Sequence, residues 1–260
     1  MFKFFKNGNK KAKESYYTVH NVLKAQTLAS GEGVKIGIVD WLFGDEKSKK
    51  LEGYFDATGT GFIDNKEHGF AMVNILKEIA PKCKVYAING ITKECFFNDN
   101  LRVAFLEQAV KFAVQNDIKI LTYSHKPIED KDAVIKLQKV LKIAEKNGII
   151  TIFLHCAEKE NVMPVAIDSN VKKSRAQVFN IYQYDYSNLN PVAYKKWIQS
   201  GGKDNSCFLS WSSMAPVLAG FIAFLLGTKP DLTKKQIINI LKKSCQNGVI
   251  DAFCAIKNVK

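Results

Sequence analysis

The 260-residue chain is long enough to bury a large core, and its 47% hydrophobic and 24% charged residues are typical of a soluble globular protein, which excludes a mainly disordered chain. Its 38 basic residues exceed its 25 acidic residues and give a net charge of +13, but the lysines are spread along the chain. Because no recognised motif concentrates them, we expect no nucleic-acid partner.

Strand and helix patterns alternate along the chain, with short connections between them. Runs of β-branched and other apolar residues predict buried strands at residues 34–39, 83–88, 118–123, 149–154 and 177–182. Apolar residues at helical spacing predict helices at residues 69–80, 101–115, 132–146, 211–226 and 234–243. Gly148 stands where a helix C-cap is expected, and Thr233 with Gln236 has the pattern of a capping box. This order predicts an α/β fold, a single domain with a mostly parallel β-sheet flanked by helices on both faces.

No segment of the sequence predicts membrane insertion or secretion. The longest apolar stretch, residues 214–227, has 14 residues, whereas a membrane span needs about 20. Residues 1–14 are basic and lack the apolar region of a secretory signal. None of the six cysteines forms a CxxC pair, so we expect reduced structural thiols rather than zinc ligands. These features favour a cytoplasmic location and no membrane partner.

Three residues stand where a catalytic site of such a fold would form. Asp40 ends the first predicted strand, and active sites of parallel sheets lie at the carboxyl ends of the strands. His68 stands at the start of the first predicted helix, and Ser212 at the start of the most apolar one. Each residue alone has a structural explanation, since aspartates cap turns and serines cap helices. Their order along the chain is the more specific signal.

Several stretches from about Val22 onward resemble the motifs of subtilisin-like serine proteases. Residues 31–40, GEGVKIGIVD, are similar to the family's GKGVKVAVID strand, whose last residue is the catalytic aspartate. His68 and Gly69, followed by an apolar helix, are similar to the family's histidine helix. Residues 212–220, SSMAPVLAG, align without a gap with the end of the family's GTSMASPHVAG serine helix. The chain order Asp, His, Ser is also that of the subtilisins.

The resemblance implies a peptidase domain at residues 22–260 behind a basic N-terminal arm at residues 1–21. It implies a serine endopeptidase in which His68 takes the proton of Ser212 and Asp40 holds the other imidazole nitrogen. The expected partner is a peptide or protein substrate. We expect no cofactor and no catalytic metal, and the acidic residues of the loops are too scattered to place a calcium site. These acidic residues are Asp45, Glu46 and Asp64.

Two serines are candidates for the nucleophile. The family's GTS triplet is SWS at residues 210–212, and an alignment shifted by one residue makes Ser213 the nucleophile, because residues 213–215 read SMA. We favour Ser212, because Pro216 and Gly220 then align with the family's proline and glycine without a gap.

The substrate-binding segment of the family, MSLGG, corresponds to a stretch that includes Ser124, His125 and Lys126. The resemblance implies that an extended peptide pairs with this segment through backbone hydrogen bonds. Lys126 in place of a glycine predicts a narrower cleft and a preference for acidic side chains near the scissile bond.

More than one residue could supply the side-chain donor of the oxyanion hole. Counting from the fourth strand places Ala157 at the position of the family's asparagine, Asn161 fits if the loop is four residues longer, and His155 could donate from the strand. We take Asn161 as the candidate, beside the backbone N–H of Ser212. Without any such donor the rate should fall about 10²–10³-fold.

Two functional hypotheses follow from this pattern. The first is an intracellular processing protease of narrow specificity. The second is a catalytically impaired pseudoprotease that binds a peptide or a partner protein, which the departures from the family motifs around all three positions favour. A nucleotide-binding α/β domain is a poor third, because residues 40–43, DWLF, replace the glycine-rich loop that would hold phosphate.

Overall fold

The computed structural model describes residues 20–41, 43, 51–61, 68–125, 127–154, 162–168, 177–182, 211–246 and 249–259. Nine strands within these ranges form one sheet. The strands are β1 (Lys35–Asp40), β2 (Gly53–Asp56), β3 (Lys84–Asn89), β4 (Ile120–Tyr123), β5 (Ile150–Leu154), β6 (Val162–Ile167), β7 (Gln177–Tyr182), β8 (Cys245–Gln246) and β9 (Val249–Ile250).

Helices cover both faces of this sheet. The α-helices are α1 (Val22–Gln26), α2 (His68–Ile79), α3 (Asp99–Gln115), α4 (Lys131–Lys146), α5 (Met214–Thr228), α6 (Lys234–Lys243) and α7 (Ala252–Lys257). Two short 3-10 turns, Glu94–Phe96 and Trp211–Ser213, precede α3 and α5.

The sheet has the strand order β2-β3-β1-β4-β5-β6-β7-β9-β8, and its first five strands are parallel. β6 then runs antiparallel to both β5 and β7, whereas β7 pairs in parallel with β9. Only residues 155–161 separate β5 from β6, and a parallel return needs a connection of a dozen or more residues. The prediction of a single, mostly parallel α/β domain is confirmed, and β6 is a strand that the sequence pattern did not reveal.

Two hydrophobic clusters, one on each face, form the core. On one face α2 and α5 pack on each other, α2 against β1 and α5 against β4 and β5, with Ile36, Met72 and Phe221 among the fully buried side chains. On the other face α3 and α4 pack together, with Val103 and Leu137 in their interface. In α5 every residue from Met214 to Leu226 is buried, so the apolar stretch of the sequence is an internal helix. No helix of the described ranges is long and apolar enough to span a bilayer.

The beginning and the end of the described chain are joined. The Nδ1 of His20 donates to the carbonyl of Ile250 at 2.8 Å, and the backbone N–H of Ala252 donates to the carbonyl of His20 at 3.0 Å. The helices α1 and α7, which follow these residues, pack against each other. These contacts join the first described element to the last one, while the domain boundary at residue 22 stays a prediction.

The central position of β1 determines where polar residues can meet. β1 lies between β3 and β4, with Asp40 opposite Asn89 and Val39 opposite Tyr123. Because these strands are parallel, their carboxyl ends lie at one edge, and Asp40, Asn89 and Ser124 share it.

Candidate active site

Asp40 is a completely buried carboxylate at the carboxyl end of the central strand. Its Oδ1 accepts a hydrogen bond from the backbone N–H of Trp41 at 2.7 Å and lies 2.8 Å from Nδ1 of His68. Its backbone carbonyl accepts from the N–H of Gly90 at 3.0 Å, which extends the pairing of β1 with β3. Asp40 is therefore held through both its backbone carbonyl and its side chain, and its carboxylate contacts the imidazole of His68.

The loop after β1 determines where His68 lies. His68 is the first residue of α2, and the N–H of the next residue, Gly69, donates to the carbonyl of Trp41 at 2.9 Å. The Phe43 ring covers Gly69 so closely that an added Cβ would lie 2.7 Å from a ring carbon. Only glycine fits there without displacing the ring. The start of α2 is thus attached to the end of β1.

The contact with Asp40 determines which nitrogen of His68 carries the proton. A carboxylate oxygen only accepts, so Nδ1 donates, and the Nε2 of the neutral ring has a lone pair for another proton. The side chain is 23% exposed. Burial lowers the pKa of His68, whereas the charge of Asp40 and its hydrogen bond raise it by more, so the net shift is upward. This is the arrangement that a general base needs.

Ser212 and Ser213 differ in accessibility. Both belong to the 3-10 turn before α5, and this turn packs against α2, the helix that begins with His68. Ser212 is partly exposed, whereas Ser213 is completely buried and its side chain does not cap α5. A nucleophile must reach a substrate, so the difference in exposure favours Ser212.

The side chains of Ser124 and His125 contact the protein itself. The hydroxyl of Ser124 donates to the backbone carbonyl of Ser212 at 2.8 Å. His125 is 6% exposed, and its Nδ1 lies 2.7 Å from Nη1 of Arg102. Binding of a peptide by this segment would therefore fall to its backbone. Lys126 and Asn161 lie outside the described residues, as do Ala157 and His155.

Arg102 is a buried site residue that the sequence interpretation passed over. It occupies the buried side of α3 together with Leu106, Ala109 and Ala113, at the spacing of an apolar stripe. An arginine on the apolar stripe of a helix is a detectable signal, because arginine is rarely buried without a partner. Its significance depends on His125, which lies 23 residues further along the chain.

The described ranges contain no group of three or more His, Cys, Asp or Glu side chains arranged to hold a metal ion. The loop acids Asp45, Glu46 and Asp64 lie outside these ranges, so the expectation about calcium binding stays a prediction from the sequence. The cysteines that the structure does describe, Cys83, Cys95, Cys245 and Cys254, are free thiols.

The sequence matches no protein-family model and no curated protein, but the structure matches solved proteases over most of its length. MycP1 without its N-terminal propeptide is 17% identical with a TM-score of 0.65, covering 93% of this chain and 96% of that one. A lanthipeptide protease is 14% identical with a TM-score of 0.66, covering 96% and 95%. Fervidolysin of Fervidobacterium pennivorans, described as a keratinolytic enzyme related to subtilisin, is 12% identical with a TM-score of 0.59, covering 90% and 44%. The chain has a subtilisin-like fold.

The subtilisin-like fold that the sequence motifs suggested is thereby confirmed, in a divergent form. At 12% to 17% identity the shared feature is the fold, and the chemistry must be argued from the side chains. On this fold Asp40 and His68 are in contact, and the turn that carries Ser212 packs against the helix that begins with His68.

Proposed function

We propose that the chain is a serine endopeptidase in which Asp40, His68 and Ser212 hydrolyse peptide bonds. The observation that carries the proposal is the 2.8 Å contact between Oδ1 of Asp40 and Nδ1 of His68 at the carboxyl end of the central strand. A buried carboxylate that fixes an imidazole tautomer is what a triad requires. Structures of the same fold include MycP1, described as a serine protease, and a lanthipeptide protease, which supports the same reaction class.

In the proposed mechanism His68 is the general base. Its Nε2 takes the proton of the Ser212 hydroxyl while Oγ bonds to the scissile carbonyl carbon. When the C–N bond breaks, the imidazolium gives that proton to the leaving amine. A water then attacks the acyl-enzyme by the same proton path and releases the acid product. Asp40 stabilises the imidazolium in both halves, and the upward shift of the pKa of His68 expresses this.

The developing oxyanion is the second requirement of this mechanism. Ser212 precedes α5, and a helix start supplies backbone N–H groups with a favourable dipole. Asn161 is the proposed side-chain donor. If Asn161 does not serve, the rate should be about 10²–10³-fold below that of an enzyme with a full oxyanion hole.

The proposed substrate is a peptide or protein segment that lies along residues 124–126. The side chains of Ser124 and His125 contact Ser212 and Arg102 of this chain. Recognition of the peptide substrate would therefore fall to the backbone of this segment and to Lys126. Lys126 would favour acidic residues near the scissile bond. The four described free thiols suit a reducing compartment, so a processing role in the cytoplasm remains part of the proposal.

Fluorophosphonate labelling followed by mapping of the adduct tests the proposal, because the reagent modifies only an activated serine. We expect the adduct on Ser212, with loss of labelling in Ser212→Ala and His68→Ala but not in Ser213→Ala or His125→Ala. A folded wild-type protein that does not react would refute the enzyme hypothesis and favour the peptide-binding pseudoprotease.

A further inference from the structure

Arg102 is a fully buried cation next to the candidate substrate-binding segment. Burying a guanidinium is costly unless its donors are satisfied and its charge is paired. Nη1 of Arg102 lies 2.7 Å from Nδ1 of His125, and Nη2 donates to the carbonyl of Pro127 at 3.0 Å. Nη2 also forms an ion pair with the carboxylate of Asp99. His125 and Pro127 belong to the segment after β4.

Asp99 also binds the segment after β4, through the backbone of two later residues. Its Oδ2 accepts hydrogen bonds from the backbone N–H of Glu129 at 2.7 Å and of Asp130 at 2.9 Å. Asp99 lies in the first turn of α3, where a carboxylate also complements the helix dipole. Together Asp99 and Arg102 fasten the chain after β4 to the N-terminus of α3.

Contact with Arg102 determines the protonation state of His125. A guanidinium can only donate, so Nδ1 of His125 accepts, and the ring is neutral with its proton on Nε2. The ring also stacks on Tyr123, with centroids 6.0 Å apart, and contacts Phe96 at 5.0 Å. Among the described residues, the ionisable groups that act on the Tyr123 phenol are Arg102 and Asp99 of α3, Cys95 of the first 3-10 turn and Asp40 of β1.

The segment that Arg102 holds also contacts the turn of the candidate nucleophile. Ser124, the neighbour of His125, donates its hydroxyl hydrogen bond to the carbonyl of Ser212. A continuous set of contacts therefore runs from Arg102 through His125 and Ser124 to Ser212.

We propose that Arg102 is a positioning residue, which holds neutral His125 and the Pro127 carbonyl so that the backbone of Ser124 and His125 stays fixed relative to Ser212 for pairing with a peptide substrate. The inference rests on the proposed protease function. Arg102 itself touches neither the substrate nor the reacting atoms. Its loss should weaken peptide binding and cleavage far more than the reactivity of Ser212 toward a small reagent.

The first test observes His125 directly and does not need activity. The chain has only four histidines, so ¹⁵N spectra of histidine-labelled protein are tractable, with His125→Asn for assignment. We expect Nδ1 of wild-type His125 to be unprotonated with the proton on Nε2, and this tautomer preference to be lost in Arg102→Met, where no guanidinium donates to Nδ1. An unchanged His125 tautomer in Arg102→Met would overturn the proposal.

The second test separates peptide binding from serine reactivity. For Arg102→Met we expect KM for a peptide substrate to rise about 10–100-fold, with the fluorophosphonate labelling rate within about two-fold of wild type. Arg102→Lys should restore part of the loss, because a lysine keeps the charge and can donate to one acceptor. Val103→Ala is the control, because it opens a cavity in the buried face of the same helix and keeps Arg102, and it should leave KM unchanged.

The outcomes separate the two hypotheses. If the wild type labels and cleaves but Arg102→Met loses both rates in parallel, or loses neither, the positioning role is wrong and the protease proposal stands. If the folded wild type neither labels nor cleaves, the protease proposal itself is wrong. If Arg102→Met does not fold, Arg102→Lys takes its place. The proposal then requires that KM of Arg102→Lys rises while its fluorophosphonate labelling rate stays near that of the wild type.

Discussion

Ser124 donates a hydrogen bond from its hydroxyl to the backbone carbonyl of Ser212 at 2.8 Å, across 88 residues of sequence. The donor follows β4, and the acceptor belongs to the turn before α5. This bond connects the proposed substrate strand to the proposed nucleophile without using the nucleophilic hydroxyl.

Replacing Ser124 by Ala should therefore affect both stability and reactivity. The Ser212 carbonyl would lose this partner, and we expect the free energy of unfolding to fall by about 1–3 kcal/mol. The turn would also be held less firmly, so we expect fluorophosphonate labelling to slow about ten-fold. Denaturant unfolding and labelling kinetics measure the two effects.

Ser244→Ala is the matched control for this substitution. The buried hydroxyl of Ser244 donates to the carbonyl of Leu241 at 2.9 Å, at the end of α6. This variant should lose stability but keep its labelling rate. Slower labelling in both variants would show that the effect is general destabilisation.

The proposed catalysis should depend on pH through His68. The reaction needs the neutral imidazole, and Asp40 raises the pKa of His68 in spite of burial, so the rate should rise with pH to an inflection above the ordinary value of about 6.5. Asp40→Asn should lower this inflection and reduce kcat about 10⁴-fold. The measurements are labelling rate against pH and the titration of the His68 ring. If the His68 ring titrates in the Asp40→Asn variant as it does in the wild type, this role for Asp40 is wrong.

His20 should make the fold sensitive to acid. Burial lowers its pKa to about 4, against the opposing effects of its hydrogen bond to Ile250 and the charge of Asp251. Between about pH 6.5 and 4 the unfolded chain binds a proton at His20 that the folded chain does not, so stability falls as pH falls. From pH 7 to 5 this amounts to about 2 kcal/mol.

His20→Asn isolates this contribution, because the amide of asparagine can still donate toward Ile250 but does not titrate. Urea unfolding at pH 7 and pH 5 should show a smaller loss of stability in the variant than in the wild type. Equal losses in the two proteins would assign the acid sensitivity to other groups.

Gly69→Ala tests whether the Phe43 ring fixes the start of α2. The new methyl group would overlap the ring, so we expect about 1–3 kcal/mol of destabilisation and slower labelling through His68. Adding Phe43→Leu should recover part of both. Gly220→Ala is the control, since its added Cβ would lie 2.5 Å from Ile79 at the other end of α2. It should reduce stability but not the labelling rate.

The parts of the fold that depend on local rules could be predicted from the sequence. Thr233 and Gln236 form both bonds of a capping box, and Gly148 has the left-handed backbone that ends α4. The bounds of β7 agree with the prediction at residues 177–182. β6 was missed because its pairing depends on a short return from β5, a feature of the sheet rather than of the segment.

The sequence predicts a site residue only where that residue stands at the end of a predicted strand or at the start of a predicted helix. Asp40 and His68 occupy such ends, and the structure has them in contact, while their catalytic roles remain predictions. Arg102 could not be assigned in this way. Its partners Asp99 and His125 come from two elements, and charge pairing inside a core depends on how those elements pack.

The bonds between His20 and the backbone at Ile250 and Ala252 have a consequence for the timing of biosynthesis. His20 must wait for a partner that is synthesised 230 residues later. Until then α1 has no α7 to pack against, and the sheet lacks β8 and β9. A nascent chain should therefore remain incompletely folded until the residues of α7 have left the ribosome, which would delay any proteolytic activity until that point.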